Sequence, residues 1–160
     1  MAHDTHAPQA HSTSHGTART AWHATLHCAT GCVAGEITGL AIGVSLGWPV
    51  AATIALAVAL AFLFGLTLAA VPLARARGIT VAAALRMVWL GEVASIATME
   101  VAMNATDLAL GGAGTGTVFA ARFWLALAVA IPVGIAAAFP VNYLMIRRGL
   151  GHAHHGHDGR

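Results

Sequence analysis

The sequence predicts an all-α polytopic membrane protein: a bundle of four transmembrane helices with disordered, histidine-rich tails. Three observations lead there. Of 160 residues, 58% are hydrophobic and 9% charged, against roughly 25% charged in a soluble domain. The stretch from Ile37 to Ala74 contains no Asp, Glu, Lys, Arg or His, which is longer than one span of ~20 residues needs. Most of the arginines fall between the apolar stretches or at their ends. The formal charge is only +2, so a basic nucleic-acid surface is excluded.

The first span is expected over residues 22–46 and the second over 49–73. Gly47-Trp48-Pro49 breaks the long apolar run into a hairpin. Trp22 and Trp48 then mark the two interfaces, ~39 Å apart at ~1.5 Å per residue, about one bilayer with its headgroups. Arg75-Ala76-Arg77-Gly78 closes the second span. A third is expected over 79–104, although Arg86, Glu92 and Glu100 interrupt it; a re-entrant segment is the alternative. After the Gly111-Gly112-Ala113-Gly114 loop, a fourth runs over 117–146, with Pro132 and Pro140 as kink points. Residues 1–21 and 149–160 are expected to be tails, the first lacking the features of a cleaved secretory signal.

Four spans place both tails and the second loop on one side, together with Arg19, Arg75, Arg77, Arg147, Arg148 and Arg160. By the positive-inside rule both termini are expected in the cytoplasm. All eight basic residues are arginine, which fits a bacterial cytoplasmic (inner) membrane protein from a GC-rich coding sequence.

The first helix carries Gly31, Gly35, Gly39, Gly43 and Gly47 at four-residue intervals, a ridge against which another helix is expected to pack closely. The other reading is a pore lining. His23 and His27 extend this ridge backwards. On the neighbouring ridge, Cys28, Cys32 and Glu36 repeat at the same interval. Two cysteines offer no disulfide framework and lack the C-x-x-C spacing. Thiolate and imidazole suit a soft or borderline ion, copper(I) or zinc(II). The bland reading is that the cysteines are small packing residues and the histidines sit among headgroups. Glu36 fits neither reading without a partner, because an acid near mid-membrane costs a few kcal/mol.

On the third helix Glu92, Met99, Glu100, Met103 and Asp107 fall within about 100° of arc, with Asn104 flanking. Counted from the expected span starts, Glu36 lies ~14 residues into its helix and Glu92 ~13 into its own, so the two are expected to share the midplane. Met99, Met103 and Asp107 would lie beyond them, and Cys28 and Cys32 before them, near Asn142 and Tyr143. Arg86 is expected to neutralise an acid or to snorkel to the surface. Eight histidines occupy the tails: His3, His6, His11, His15, His152, His154, His155 and His157. They read either as weak collectors of divalent metal or as soluble flexible tails.

At His23 to Glu36, Met99-Glu100 to Asp107, Asn142-Tyr143 and the final histidine tract, residues 22–150 resemble a family of small bacterial membrane proteins of unknown function. The resemblance implies a four-span fold and, through members associated with copper-handling genes, a copper role. Met99-x-x-x-Met103 also resembles the methionine pair of copper-uptake transporters, but those have three spans and a methionine-rich tail.

The leading expectation is a membrane protein that binds and moves a soft metal ion, copper(I) first. Cys28 and Cys32 would be inner ligands, Met99 and Met103 outer ones, with Glu36 and Glu92 balancing charge. The alternatives are a proton-coupled small-molecule transporter using Glu36 and Glu92, or a scaffold whose glycine ridge docks another membrane protein. No enzyme activity and no organic cofactor are expected. Lipid, the metal ion and a homo-oligomer or membrane-protein partner are the expected associates.

Overall fold

The computed structural model describes residues 14–148, with side chains from Gly16 onward. Four helices follow one another: α1 (Ser14–Ser45), α2 (Val50–Arg77), α3 (Val81–Leu110) and α4 (Ala121–Arg147). Each is long and apolar enough to cross a membrane. The third is a full-length helix and not a re-entrant segment. The histidines of both tails lie outside the residues whose side chains are described.

Local chemistry accounts for the turns. Gly47 adopts φ +66°, a conformation that Cβ-bearing residues avoid, and Pro49 then precedes α2 with φ already fixed. Gly78 ends α2 in the left-handed region and donates to the Ala74 carbonyl. Thr80 begins α3 by accepting from the Ala83 amide at 3.2 Å, satisfying one of the orphan donors of a helix start. Gly111 closes α3 in the same left-handed way. Pro72, Pro132 and Pro140 lie inside α2 and α4, which continue through them.

Every helix outruns the apolar stretch that predicted it at one end or the other. The largest difference is at α1, which begins at Ser14 and not at Trp22. Its first turns are polar, so hydropathy does not register them, yet Thr20 returns its hydroxyl to the Gly16 carbonyl and the backbone stays helical.

The glycine ridge sets the closest contact. Gly31, Gly35, Gly39 and Gly43 on α1 face Gly65, Ala61, Ala57 and Thr53 on α2, in antiparallel order. A Cβ on Gly31 would stand 2.6 Å from the Gly65 Cα, and one on Gly35 or Gly39 would overlap the backbone of Ala61 or Ala57. Two small-residue ridges thus let the backbones approach. Gly47 is the exception to the expected ridge: it lies beyond the end of α1, with nothing near where a Cβ would be. The ridge lines no pore, because α2 fills it.

The helices form a square, α1 beside α2 and α4, with α3 diagonally opposite α1. The diagonal pair is the less apolar one, with mean hydropathy 1.4 for both α1 and α3 against 2.6 for α2 and 2.1 for α4. Polar side chains of α1 and α3 therefore meet at the bundle axis, shielded by the two apolar helices. One end gathers Arg19, Arg75, Arg77, Arg86, Arg147 and Arg148, with Trp22 edge-on to Phe139 and Arg147 over the Tyr143 ring. Arg86 is exposed, which excludes it as a neutraliser of the buried acids. Arg122 alone stands at the opposite end, donating to the Leu110 carbonyl at 2.7 Å.

Leucine at Gly35 is expected to force α1 and α2 apart, costing at least the ~1–3 kcal/mol of an overpacked core. Ala34→Leu, one residue away on an exposed face, should be tolerated. Thermal unfolding in detergent, followed by tryptophan fluorescence, compares the two; equal stability would contradict the ridge contact.

Candidate functional site: a buried polar seam

Nine polar or charged side chains are buried in the described bundle: Thr25, Glu36, Thr53, Glu92, Ser95, Glu100, Asn104, Asp107 and Asn142. All but Thr53 and Asn142 belong to the diagonal pair α1 and α3. The seam begins at the tail end, where Asn142 donates to Thr25 Oγ1 at 2.9 Å and to Ser95 Oγ at 3.0 Å. Ser95 in turn donates its hydroxyl to Cys28 Sγ at 3.4 Å. One amide thereby ties three helices together at a thiol. Thr25 and Ser95 were not singled out from the sequence. Ser95 flanks the arc on the Met99 side, as Asn104 does on the other, but a lone serine in a span carries no signal of its own.

Cys28 and Cys32 follow, both buried, their sulfurs 4.0 Å apart. Cys32 faces the electrostatic influence of Glu92 and Glu100 across the axis. The thioethers of Met99 and Met103 belong to the same buried cluster and nest in a notch on α4: a Cβ on Gly134 would lie 2.5 Å from Met103 Cγ and 3.0 Å from Met99 Cγ. Gly134 is a second residue that sequence reading passed over, and its signal was only a glycine inside an apolar span.

Further along, the Glu36 carboxyl neighbours those of Glu100 and the amide of Asn104. Asn104 Nδ2 donates to the Glu100 carbonyl at 2.9 Å and to Glu100 Oε2 at 3.3 Å. Glu36 therefore does not share its level with Glu92. The Cys28 to Ser95 contact spans 67 positions, the same offset that separates the first residues of α1 and α3, whereas Glu36 and Glu92 differ by 56. Counting from Trp22 omitted the polar turns of α1 and, with the later start of α3, displaced the register by about three turns, roughly 16 Å. Glu92 is buried on the same stripe, nearer the tail end.

Asp107 ends the seam in a structural role. Its Oδ2 accepts from the Ala113 amide at 2.8 Å, and Gly112 passes so close that any Cβ there would overlap Oδ1. This clamps the Gly111-Gly112-Ala113-Gly114 loop onto the bundle. Other expected ligands point elsewhere. His23 and His27 are exposed; His27 Nε2 lies 3.3 Å from the Leu68 carbonyl, in the groove between α1 and α2. The ridge holding Gly31 turns them off the axis, because the two ridges of α1 are ~100° apart. Tyr143 also faces outward, stacked on Phe139, while its neighbour Asn142 faces the seam. Among the described residues no three His, Cys, Asp or Glu side chains converge as an ion-holding group.

An all-helical bundle of four spans, polar along its axis and apolar outside, defines a polytopic membrane protein with an internal hydrophilic seam. Residues 17–151 match a domain of unknown function, DUF4396, and the chain belongs to that family. The family description carries no activity and no copper association. No curated protein and no solved structure matches the chain.

Replacing Asn142 with Leu removes the donor that the Thr25 and Ser95 oxygens accept from, and is expected to cost about 1–3 kcal/mol. It should also loosen the three-helix junction enough to raise the rate of maleimide labelling at Cys28. Unchanged stability and labelling would show that the junction contributes nothing.

Proposed function

We propose that the protein binds a soft metal ion, copper(I) in first place, between Cys28 and Cys32, and hands it along the axis of the bundle. The observation that carries the reading is the pair of buried sulfurs 4.0 Å apart. A single ion with metal–sulfur bonds of about 2.3 Å reaches both. The nearby thioethers of Met99 and Met103 are soft donors suited to the same ion. Ser95, donating to Cys28 Sγ, supplies the kind of outer hydrogen bond that orients a metal-binding side chain.

The donor set favours copper(I) over zinc(II). Structural zinc takes four nitrogen, sulfur or oxygen ligands, and the histidines that would have completed such a set face outward. Sulfur-only coordination by two or three donors suits copper(I). Positive-inside asymmetry supports a bundle oriented with its arginine-rich end in the cytoplasm, which puts the thiols nearer that side. The two other expectations fit less well. A proton-coupled transporter built on a Glu36 and Glu92 pair lacks that pair, since Glu36 meets Glu100. A scaffold docking through the glycine ridge lacks the ridge, which α2 occupies.

Purified protein titrated anaerobically with copper(I) against a chromogenic chelator should hold one ion per chain with higher affinity than the tails provide. Cys28→Ser/Cys32→Ser should lose that ion while keeping its unfolding temperature. Equal copper content in the two proteins would overturn the thiol site. Met99→Leu should weaken binding without abolishing it.

A further inference from the structure

A groove of about 370 Å³ runs on the outside of the bundle between α1 and α4, lined by Leu26, Ala29, Thr30, Val33 and Ala34 of α1 and Ile135 of α4. Its wall is apolar. Thr30 returns its hydroxyl to the Leu26 carbonyl at 3.0 Å, so the single polar member of the lining is satisfied within its own helix. Ala34 lies twelve residues beyond Trp22, ~18 Å along the helix, about the depth of one leaflet of a ~30 Å hydrocarbon core.

The tail-end margin of the groove has a different chemistry. Trp22, one turn from Leu26, stands edge-on to Phe139 with ring centroids 6.1 Å apart; Phe139 stacks on Tyr143 at 6.3 Å, and Arg147 lies over the Tyr143 ring at 5.7 Å. Ile135, Phe139, Tyr143 and Arg147 follow one another at four-residue intervals, so the α4 ridge passes from aliphatic to aromatic to cationic. On α1 the face that holds Val33, Thr30 and Leu26 continues through Trp22 to Arg19 and repeats that order. Both walls therefore grade together.

A phospholipid is graded in the same way. Its acyl chain suits the apolar depth, aromatic rings settle at the headgroup boundary, and guanidinium groups match phosphate oxygens two at a time. Charge selects among headgroups. The acids of the described residues, Glu36, Glu92, Glu100 and Asp107, are all buried in the seam, while Arg19, Arg147 and Arg148 are exposed. A choline or ethanolamine ammonium would meet only like charge at this margin, and the Tyr143 ring that could receive it is covered by Arg147. A headgroup with net negative charge meets no such conflict.

We propose that the groove between α1 and α4 binds one anionic phospholipid, with an acyl chain along Leu26 to Ala34 and Ile135 and the phosphate at Arg19 and Arg147. The site is independent of the thiol pair. Arg75 and Arg77 share the same end of the bundle but belong to α2, and have no part in it.

The test mixes the delipidated full chain in detergent with dioleoyl phosphatidylglycerol or dioleoyl phosphatidylcholine and counts retained lipid by native mass spectrometry. The native chain should hold one phosphatidylglycerol, roughly tenfold or more tighter than phosphatidylcholine. Arg19→Gln/Arg147→Gln should lose that preference, whereas Arg75→Gln/Arg77→Gln, which removes the same charge from α2, should keep it. Thr30→Leu/Ala34→Leu, which fills the groove from exposed positions, should weaken retention of phosphatidylglycerol. The unfolding temperature of each variant in lipid-free detergent separates loss of the site from loss of the fold. Three results would overturn the proposal: equal retention of the two lipids by the native chain, equal loss of preference in the two arginine pairs, or a lipid-free dimer that Thr30→Leu/Ala34→Leu turns into monomer.

Discussion

A bilayer interior offers carboxylates and amides no solvent, so a chain that carries them through it must supply their surroundings itself. Most of the architecture follows from that constraint. Five helix-borne groups, Glu36, Glu92, Glu100, Asn104 and Asp107, sit on α1 and α3, and the bundle places these two helices on its diagonal so that their polar faces meet at the axis. The apolar α2 and α4 close the sides. Were α1 and α3 neighbours at an edge of the square, part of each polar face would open to lipid.

The approach of α1 and α2 makes that arrangement tight. Glycines on α1 stack on Gly65, Ala61, Ala57 and Thr53 of α2, which fixes the rotation of α1 and turns the Cys28, Cys32 and Glu36 ridge to the axis. The same rotation carries His23 and His27 away from it. One packing decision, set by residues that have no side chain, therefore determines which donors share the interior: sulfur, carboxylate and amide, but not the imidazoles of His23 and His27.

The four spans, the Gly47-Trp48-Pro49 hairpin and the close-packing glycines were legible in the sequence because each depends on a local or strictly periodic property. The register between α1 and α3 was not. It depends on where α1 begins, and the turns from Ser14 to Ala21 are helical without being apolar. Thr25, Ser95 and Gly134 escaped notice because a single small residue in a span has no distinctive pattern; only the meeting with Asn142, Cys28 or the methionines gives it meaning. Asp107 shared a face with the methionines on a helical wheel, but its partner is the amide of Ala113 in a loop, whose conformation periodicity does not describe. Tyr143 was misjudged by adjacency, since neighbours on a helix are ~100° apart.

The order of donors along the seam rests on the pairing of α1 with α3. Cysteine cross-linking in a background without the native thiols measures it directly. With Cys28 and Cys32 changed to serine, Glu36→Cys combined with Asn104→Cys should be joined in high yield by a short thiol cross-linker, and Glu36→Cys combined with Glu92→Cys should not. Efficient joining of positions 36 and 92, with none between 36 and 104, would contradict the register and with it the order of donors along the seam.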